Sequence, residues 1–110
     1  MRSIVYDEIT AADLEKVRGH LAAACQASPL PDVFWLNLPT DLLTPVQFEH
    51  GQCRPHRVSI VLDAEEVRLE LLVRSAGSLR CECTGYTNQA QRDFCLKFMD
   101  NLCRDLDIKT

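Results

Sequence analysis

The stretch "HRVSIVLDAEEVRLELLVRS", residues 56–75, decides the fold because apolar and polar side chains alternate along it. Apolar residues recur at every second position before "DAEE" and again after it, which is typical of strands with one buried face. The connection at "DAEE" is short, and a tight connection between two such strands indicates antiparallel pairing. The sequence therefore predicts a hairpin in the middle of the chain.

Two further segments extend the predicted sheet. "VFWLNLP", from Val33, is rich in residues that favour strands, and Pro39 ends it as a proline would end an edge strand. After a turn at "SAGS", the segment "LRCECTGY" resumes the alternation and predicts a third strand of the meander. This register places the thiols of Cys81 and Cys83 on the core face of the sheet. We expect a mostly antiparallel sheet of about four strands.

Helix signals flank these strands. Each helix start has a cap residue and a partner three positions later: Thr10 with Asp13, Thr44 with Gln47, and Asn88 with Gln91. Apolar stripes follow the first and last of them, so long helices are predicted over about 11–26 and from 89 onward, with a short helix near 45–50. This order predicts an α+β fold, a two-layer sandwich with both long helices on one sheet face, and a single domain over 1–110.

Composition limits the classes of partner and compartment. The chain has 110 residues, 46% of them apolar, and a net charge of −4. A surplus of acid argues against binding to nucleic acid or to an anionic membrane surface, since both partners demand excess lysine and arginine. The sequence shows neither a signal-peptide core nor a membrane span, so we expect a cytoplasmic protein whose six cysteines are thiols.

The loop "EHGQCRPH", residues 49–56, contains the candidate site of the sequence. His50 and His56 each lie two residues away from Cys53, and Arg54 adds a positive charge. Imidazole and thiolate are zinc ligands, while nearby cations can favour a reactive thiolate at Cys53. The three residues are a candidate metal site that still lacks a fourth ligand, with an ordinary connecting loop as the alternative. We expect no cofactor, with zinc at this loop as the alternative.

The other five cysteines are predicted to be core residues. Cys25, Cys95 and Cys103 fall on the apolar stripes of the long helices, where a thiol behaves as a small hydrophobic group. Cys81 and Cys83 are only outside candidates as ligands. Alternate side chains on a flat strand stand roughly 6–7 Å apart, whereas two thiolates on one tetrahedral zinc lie roughly 3.8 Å apart.

The opposite face of the sheet is predicted to be open and to mix arginine with aromatic and aliphatic side chains, a composition enriched in protein interfaces. The candidate interface residues are Trp35, Arg57, Val61, Arg68, Leu72, Arg74, Arg80 and Tyr86. A solvated face with cross-strand Arg and Glu pairs is the alternative. The leading hypothesis is a non-enzymatic module that forms a homodimer or binds a protein partner; the other is a metal-binding or thiol-redox protein.

Signatures of enzymes do not occur in the chain: there is no phosphate-binding glycine loop, no nucleophile-elbow serine and no HExxH helix. The run "FWLNLPTDLLTPVQFEHGQCRPH", with "LELLVRS" and "RCECTGYTNQAQRDF", resembles small bacterial proteins without an assigned activity. The resemblance spans residues 34–94. It implies a bacterial, cytosolic setting and assigns no role to any residue.

Overall fold

The computed structural model describes residues 1–78 and 81–110 and has an α+β fold, in which three α-helices accompany a seven-stranded antiparallel sheet. The strands are β1 (Ser3–Tyr6), β2 (Gln26–Ala27), β3 (Val33–Asn37), β4 (His56–Asp63), β5 (Glu66–Glu70), β6 (Leu72–Ser75) and β7 (Gly85–Tyr86). The helices are α1 (Ala11–Ala24), α2 (Pro45–Glu49) and α3 (Gln89–Asp105). Neighbouring strands follow the order β1-β5-β4-β3-β2, and β6 pairs with both β4 and β7.

The prediction of about four strands was too low, for two physical reasons. Two of the additional strands, β1 and β2, have only four and two residues, too few to give a clear alternation. The predicted second strand of the hairpin is also broken at Leu71, whose N–H donates to the carbonyl of Arg2 rather than to β4. The register shifts by two residues there, so that β5 pairs with the second half of β4 and β6 with its first two residues.

Alternate side chains of the central strands point to the same face of the sheet and form a single hydrophobic cluster. Ile60 is opposite Phe34 on β3 and opposite Leu69 on β5, and all three are buried. Both long helices contribute to the same cluster, α1 through Leu14, Val17 and Leu21 and α3 through Cys95, Met99 and Leu102. Within the described ranges, no helix is long and apolar enough to cross a membrane.

The three predicted helix starts are confirmed. Thr44 and Asn88 each form a complete capping box with the glutamine three residues later, and the Thr10 hydroxyl accepts from the backbone N–H of Asp13. Side-chain caps satisfy N–H groups that have no partner inside the helix, which explains why these short local patterns fix the helix boundaries well.

Candidate metal centre

Four side chains from two distant parts of the chain converge beside the start of β4. They are His50, Cys53, Cys81 and Cys83, and their ligand atoms all lie within 4.8 Å of one another. Cys53 Sγ is 3.7 Å from Cys81 Sγ, and His50 Nδ1 is 2.9 Å from the same sulfur. Cys53 and Cys83 are buried, whereas His50 and Cys81 are half-buried.

His50 and Cys53 are brought together by the end of α2. His50 is the C-cap of this short helix, and the 3₁₀ turn Gly51–Cys53 follows directly, with the Cys53 N–H donating to the His50 carbonyl at 2.9 Å. A turn of this tightness eclipses side chains three positions apart, so the His-x2-Cys spacing places both ligands on one side. This half of the site is the half that the sequence indicated.

The prediction that Cys81 and Cys83 are core residues on a strand was wrong. The expected third strand over 79–86 is reduced to β7, and Cys81 begins a turn in which the Thr84 N–H donates to the Cys81 carbonyl at 3.0 Å. Cys83 is buried, yet neither cysteine belongs to the main hydrophobic cluster. Because the two cysteines lie on a turn, the spacing of alternate side chains on a flat strand does not apply to them. The objection to their binding one metal ion together is therefore removed. Residues 79 and 80 of the predicted strand lie outside the described residues.

The turn after β6 is packed tightly against the backbone of Cys53. The Cys53 carbonyl accepts from the Ser75 hydroxyl at 2.9 Å and from the Gly77 N–H at 3.3 Å. A Cβ built on Gly77 would lie 2.1 Å from the carbonyl oxygen of Gln52. Glycine is therefore required here by close approach of two backbones, and the contact fixes where Cys53 presents its thiol.

We expect Gly77→Ala to destabilise the protein by about 1–3 kcal/mol, because the added methyl must push apart two packed backbone segments. The displaced turn should also loosen the position of Cys53 and weaken any metal binding at the cluster. Urea denaturation measures the free energy of unfolding. Gly19→Ala is the matched control, since nothing lies within 4 Å of a Cβ at this position in α1, and alanine there should stabilise by up to about 1 kcal/mol. Equal effects of the two substitutions would contradict the steric argument.

A buried pair of amides holds the other half of the cluster. Gln47 Nε2 donates to the Cys83 carbonyl at 3.1 Å, and Gln91 Nε2 donates to Gln47 Oε1 at 2.9 Å. Both glutamines are also the box partners of their helices, so the starts of α2 and α3 are joined through them. Since Gln47 and Gln91 are almost fully buried, this network positions Cys83 rigidly.

The electrostatics of the cluster favour one thiolate. Hydrogen bonds from the backbone and side chain of Cys83, and further ones from His50 and Cys53, lower the pKa of the Cys81 thiol to about 7. Burial raises the pKa of Cys83, and the neighbouring sulfurs add to that effect. The second ring nitrogen of His50, Nε2, lies 3.6 Å from Glu82 Oε1. A carboxylate beside the outer nitrogen is the usual partner of a histidine that binds metal.

His56, the third ligand candidate of the sequence, stays outside the cluster. It is the first residue of β4, and its side chain points inward in phase with Val58 and Ile60. The ring is 1% exposed, and neither nitrogen has a hydrogen-bond partner among the described residues. Burial, followed by the charges of Arg54 and His50, lowers the pKa of His56. The same alternation that identified the strand therefore places this ring in the interior.

His56 should make folding sensitive to acid. Its unfolded pKa is near 6.5 and its folded pKa is lower, so the unfolded chain binds more protons between these values and stability falls as the pH drops through this window. We expect His56→Phe to reduce the loss of unfolding free energy between about pH 7.5 and pH 5.5. Denaturing both proteins in the presence of chelator separates the effect of His56 protonation on the unfolding free energy from the effect of metal release. If the variant loses as much unfolding free energy over this pH range as the unsubstituted protein, protonation of His56 is not the cause of the loss.

The remaining three cysteines behave as predicted. Cys95 is part of the main hydrophobic cluster, and Cys25 and Cys103 pack against it. Burial raises the pKa of Cys25 and Cys95 to about 11 and also raises that of Cys103. All six cysteines are free thiols, and among the described residues only Cys53, Cys81 and Cys83 belong to a group that could hold a metal ion.

The candidate interface residues lie on the side of the sheet opposite the core side chains. Register pairs Val61 with Arg68, Arg57 with Arg74, and Leu72 with Tyr86. Arg74 and Tyr86 are exposed, and the others of these six are half-buried. Trp35 is half-buried on the same side, with the guanidinium of Arg57 4.1 Å above its ring centroid. Arg80, the eighth candidate, lies outside the described residues.

Comparison with protein-family models, curated proteins and solved structures gives no match.

Proposed function

We propose that the protein binds one zinc ion through His50, Cys53, Cys81 and Cys83, and that this structural metal centre is the basis of its function. The observation that carries the proposal is the convergence of three sulfurs and one imidazole nitrogen within 4.8 Å. Two thiolates on a tetrahedral zinc lie about 3.8 Å apart, and Cys53 Sγ and Cys81 Sγ are separated by 3.7 Å.

The donor set supports zinc over harder cations. Thiolate and imidazole select soft or borderline metals, and three cysteines with one histidine form a tetrahedral set found in structural zinc sites. His50 Nδ1 and Cys81 Sγ are at hydrogen-bond distance, 2.9 Å, and a metal between them would displace the shared proton and widen the gap to about 3.5 Å. The low pKa of Cys81 reduces the cost of that proton release.

A zinc ion held by four protein ligands has no open position for water or substrate. Sites of this kind hold the chain together and do not catalyse a reaction. Here the metal would fasten the turn 81–84 to the loop 50–53, since each segment supplies two of the four ligands. The proposed role is therefore a non-enzymatic domain whose local structure depends on metal.

Native mass spectrometry of protein purified without chelator tests the proposal directly. We expect one zinc per chain, and we expect Cys81→Ser to abolish stoichiometric binding because serine is not deprotonated and replaces a soft sulfur. Cys25→Ser is the matched control, since this thiol packs against the hydrophobic core and is not one of the four candidate ligands, so its loss should leave the zinc content unchanged. Cobalt(II) substitution would report tetrahedral thiolate ligation in the visible spectrum.

A metal-free protein would overturn the zinc proposal. If peroxide then linked Cys53 to Cys81 as a disulfide, in a reaction that releases two waters for each peroxide consumed, the thiol-redox alternative would be favoured. The 3.7 Å between these sulfurs makes that pair the one to examine by peptide mapping.

We also propose that the open sheet face mediates self-association. The observation that favours it is the pairing of Leu72 with Tyr86, which is 40% exposed. Half-buried Trp35 and Val61 belong to other strands on the same side of the sheet. Aromatic, aliphatic and arginine side chains together are enriched in interfaces. Light scattering after size exclusion should give a dimer that Leu72→Asp dissociates, whereas Leu96→Asp, at an exposed leucine of α3, should not. A monomer at high concentration would contradict this proposal.

A further inference from the structure

A small pocket opens at one end of the open sheet face and is lined by two arginines and three hydroxyl residues. Its volume is about 80 Å³, and its walls are Trp35, Arg57, Arg74, Ser75, Ser78 and Thr84. This volume is far below that of a pocket for a drug-sized ligand. Each of the six lining side chains carries a hydrogen-bond donor and none is a carboxylate, so the pocket has the size and the donor groups for a single small anion.

The two arginines are directly opposite each other on neighbouring strands. Arg57 of β4 is the register partner of Arg74 of β6, and like charges in this position destabilise a sheet. Among the residues that the structure describes, neither guanidinium lies within ion-pair distance of a carboxylate. By contrast, Arg68 on the same face is paired with Glu66 at 3.1 Å. Within the described ranges, the positive charge of these two arginines is therefore not neutralised by an ion pair.

The side chain of Arg57 is held in one position, and part of its guanidinium group lacks a hydrogen-bond partner among the described residues. Its guanidinium lies over the ring of Trp35, at 4.1 Å from the centroid, and this stacking restricts the side chain. Its Nε is buried and has no hydrogen-bond partner among the described residues. Among the described residues, its guanidinium makes one side-chain hydrogen bond, a long contact of 3.5 Å from Nη1 to Gln26 Oε1. Donors left unsatisfied in this way carry a desolvation cost that an acceptor would relieve.

We propose that this pocket binds a small oxyanion, a phosphate or carboxylate group, between the guanidinium groups of Arg57 and Arg74, with the Thr84 hydroxyl as a further donor. Guanidinium groups match the oxygen pairs of both anions, and charge-assisted hydrogen bonds are about twice as strong as neutral ones. The bound charge would also remove the repulsion between the two arginines. None of the four proposed metal ligands lines this pocket, and its two arginines lie on β4 and β6, outside the turn 81–84 that the zinc would hold.

Trp35 provides the measurement, since it is the single tryptophan of the chain and contacts Arg57. Titration of the purified full-length protein with inorganic phosphate, or with acetate, at constant ionic strength set by sodium chloride should change its fluorescence saturably. We expect a dissociation constant on the order of 1 mM, as two charge-assisted hydrogen bonds on an exposed surface would give. Tighter binding of phosphate would identify a phosphoryl ligand, and tighter binding of acetate a carboxylate such as a peptide terminus; either result supports the proposal.

Two variants that each remove one positive charge distinguish specific anion binding in this pocket from a general effect of the charge on this sheet face. Arg74→Gln should weaken binding at least about tenfold while folding normally, because Arg74 is exposed and loses only its contact with the anion. Arg68→Gln removes the same charge from the same face and should leave the affinity unchanged. The proposal is overturned if neither anion gives a saturable change, or if both substitutions weaken binding equally. Amide chemical shifts at residues 57, 74 and 84 provide a second readout that does not depend on fluorescence.

Discussion

Removing the metal should lower the free energy of unfolding by about 4 kcal/mol when the reference sample holds free zinc at about 1,000 times its dissociation constant. The reason is that the four ligands converge only in the folded chain, where they lie within 4.8 Å of one another. A metal that binds the folded state alone stabilises it in proportion to the logarithm of the free metal concentration. Urea denaturation in zinc buffer and in chelator measures the difference, which should also shrink as the pH falls and the thiolates are protonated.

Cys81→Ser provides the control for this experiment. The variant should unfold at the same urea concentration in zinc buffer and in chelator, because it lacks a ligand in both. If the unsubstituted protein is equally insensitive to zinc, the cluster is not a metal centre under these conditions. A dependence on zinc that persists in the variant would place the metal at another site.

Gln91→Leu is expected to destabilise the protein by roughly 3 kcal/mol or more, although leucine is close to glutamine in size. The buried Gln91 side chain donates to the Leu42 carbonyl and to Gln47 Oε1, and it accepts from the Asn88 N–H. Leucine removes these three hydrogen bonds, one buried and two part-buried, and a buried group left unsatisfied costs about 1–3 kcal/mol. Only part of this sum should be observed, since neighbouring groups relax.

The control for Gln91→Leu lies two residues earlier in the same helix. Gln89 is exposed in the first turn of α3, so Gln89→Leu should change the unfolding free energy by less than about 0.5 kcal/mol. Denaturation curves of the two variants give the comparison. Similar small effects would mean that the amide network contributes little, and would also weaken the argument that it positions Cys83 through Gln47.

Local patterns predicted most of the fold. Capping pairs such as Asn88 and Gln91 act within four residues, and the alternation from His56 to Val73 reports the buried face directly, so both could be identified from sequence. The break at Leu71 could not, because it depends on a hydrogen bond to Arg2 from a distant segment. β1 was missed for the same reason: its four residues pair only with β5.

Half of the candidate site was within reach of the sequence. The spacing of His50 and Cys53 indicated a ligand pair on one turn, but His56 was included although its place at the start of the alternating strand already implied an inward ring. Cys81 and Cys83 were assigned to a strand because alternation was extended through them. Glycine at position 85, a residue type common in turns, was the signal that the strand could end before it and leave the Cys-x-Cys pair on a turn.

The position of β1 has a consequence for the order in which the sheet is assembled. Ser3 pairs with Glu70, so joining β1 to β5 closes a loop of more than sixty residues, which costs more chain entropy than closing the β4–β5 hairpin around its short turn. β1 should therefore dock late. During synthesis, the apolar residues of β1 have no partner strand until β5 has left the ribosome. One of them, Val5, is 48% exposed even in the folded protein. That interval is when pairing with another copy, and hence aggregation, competes with folding.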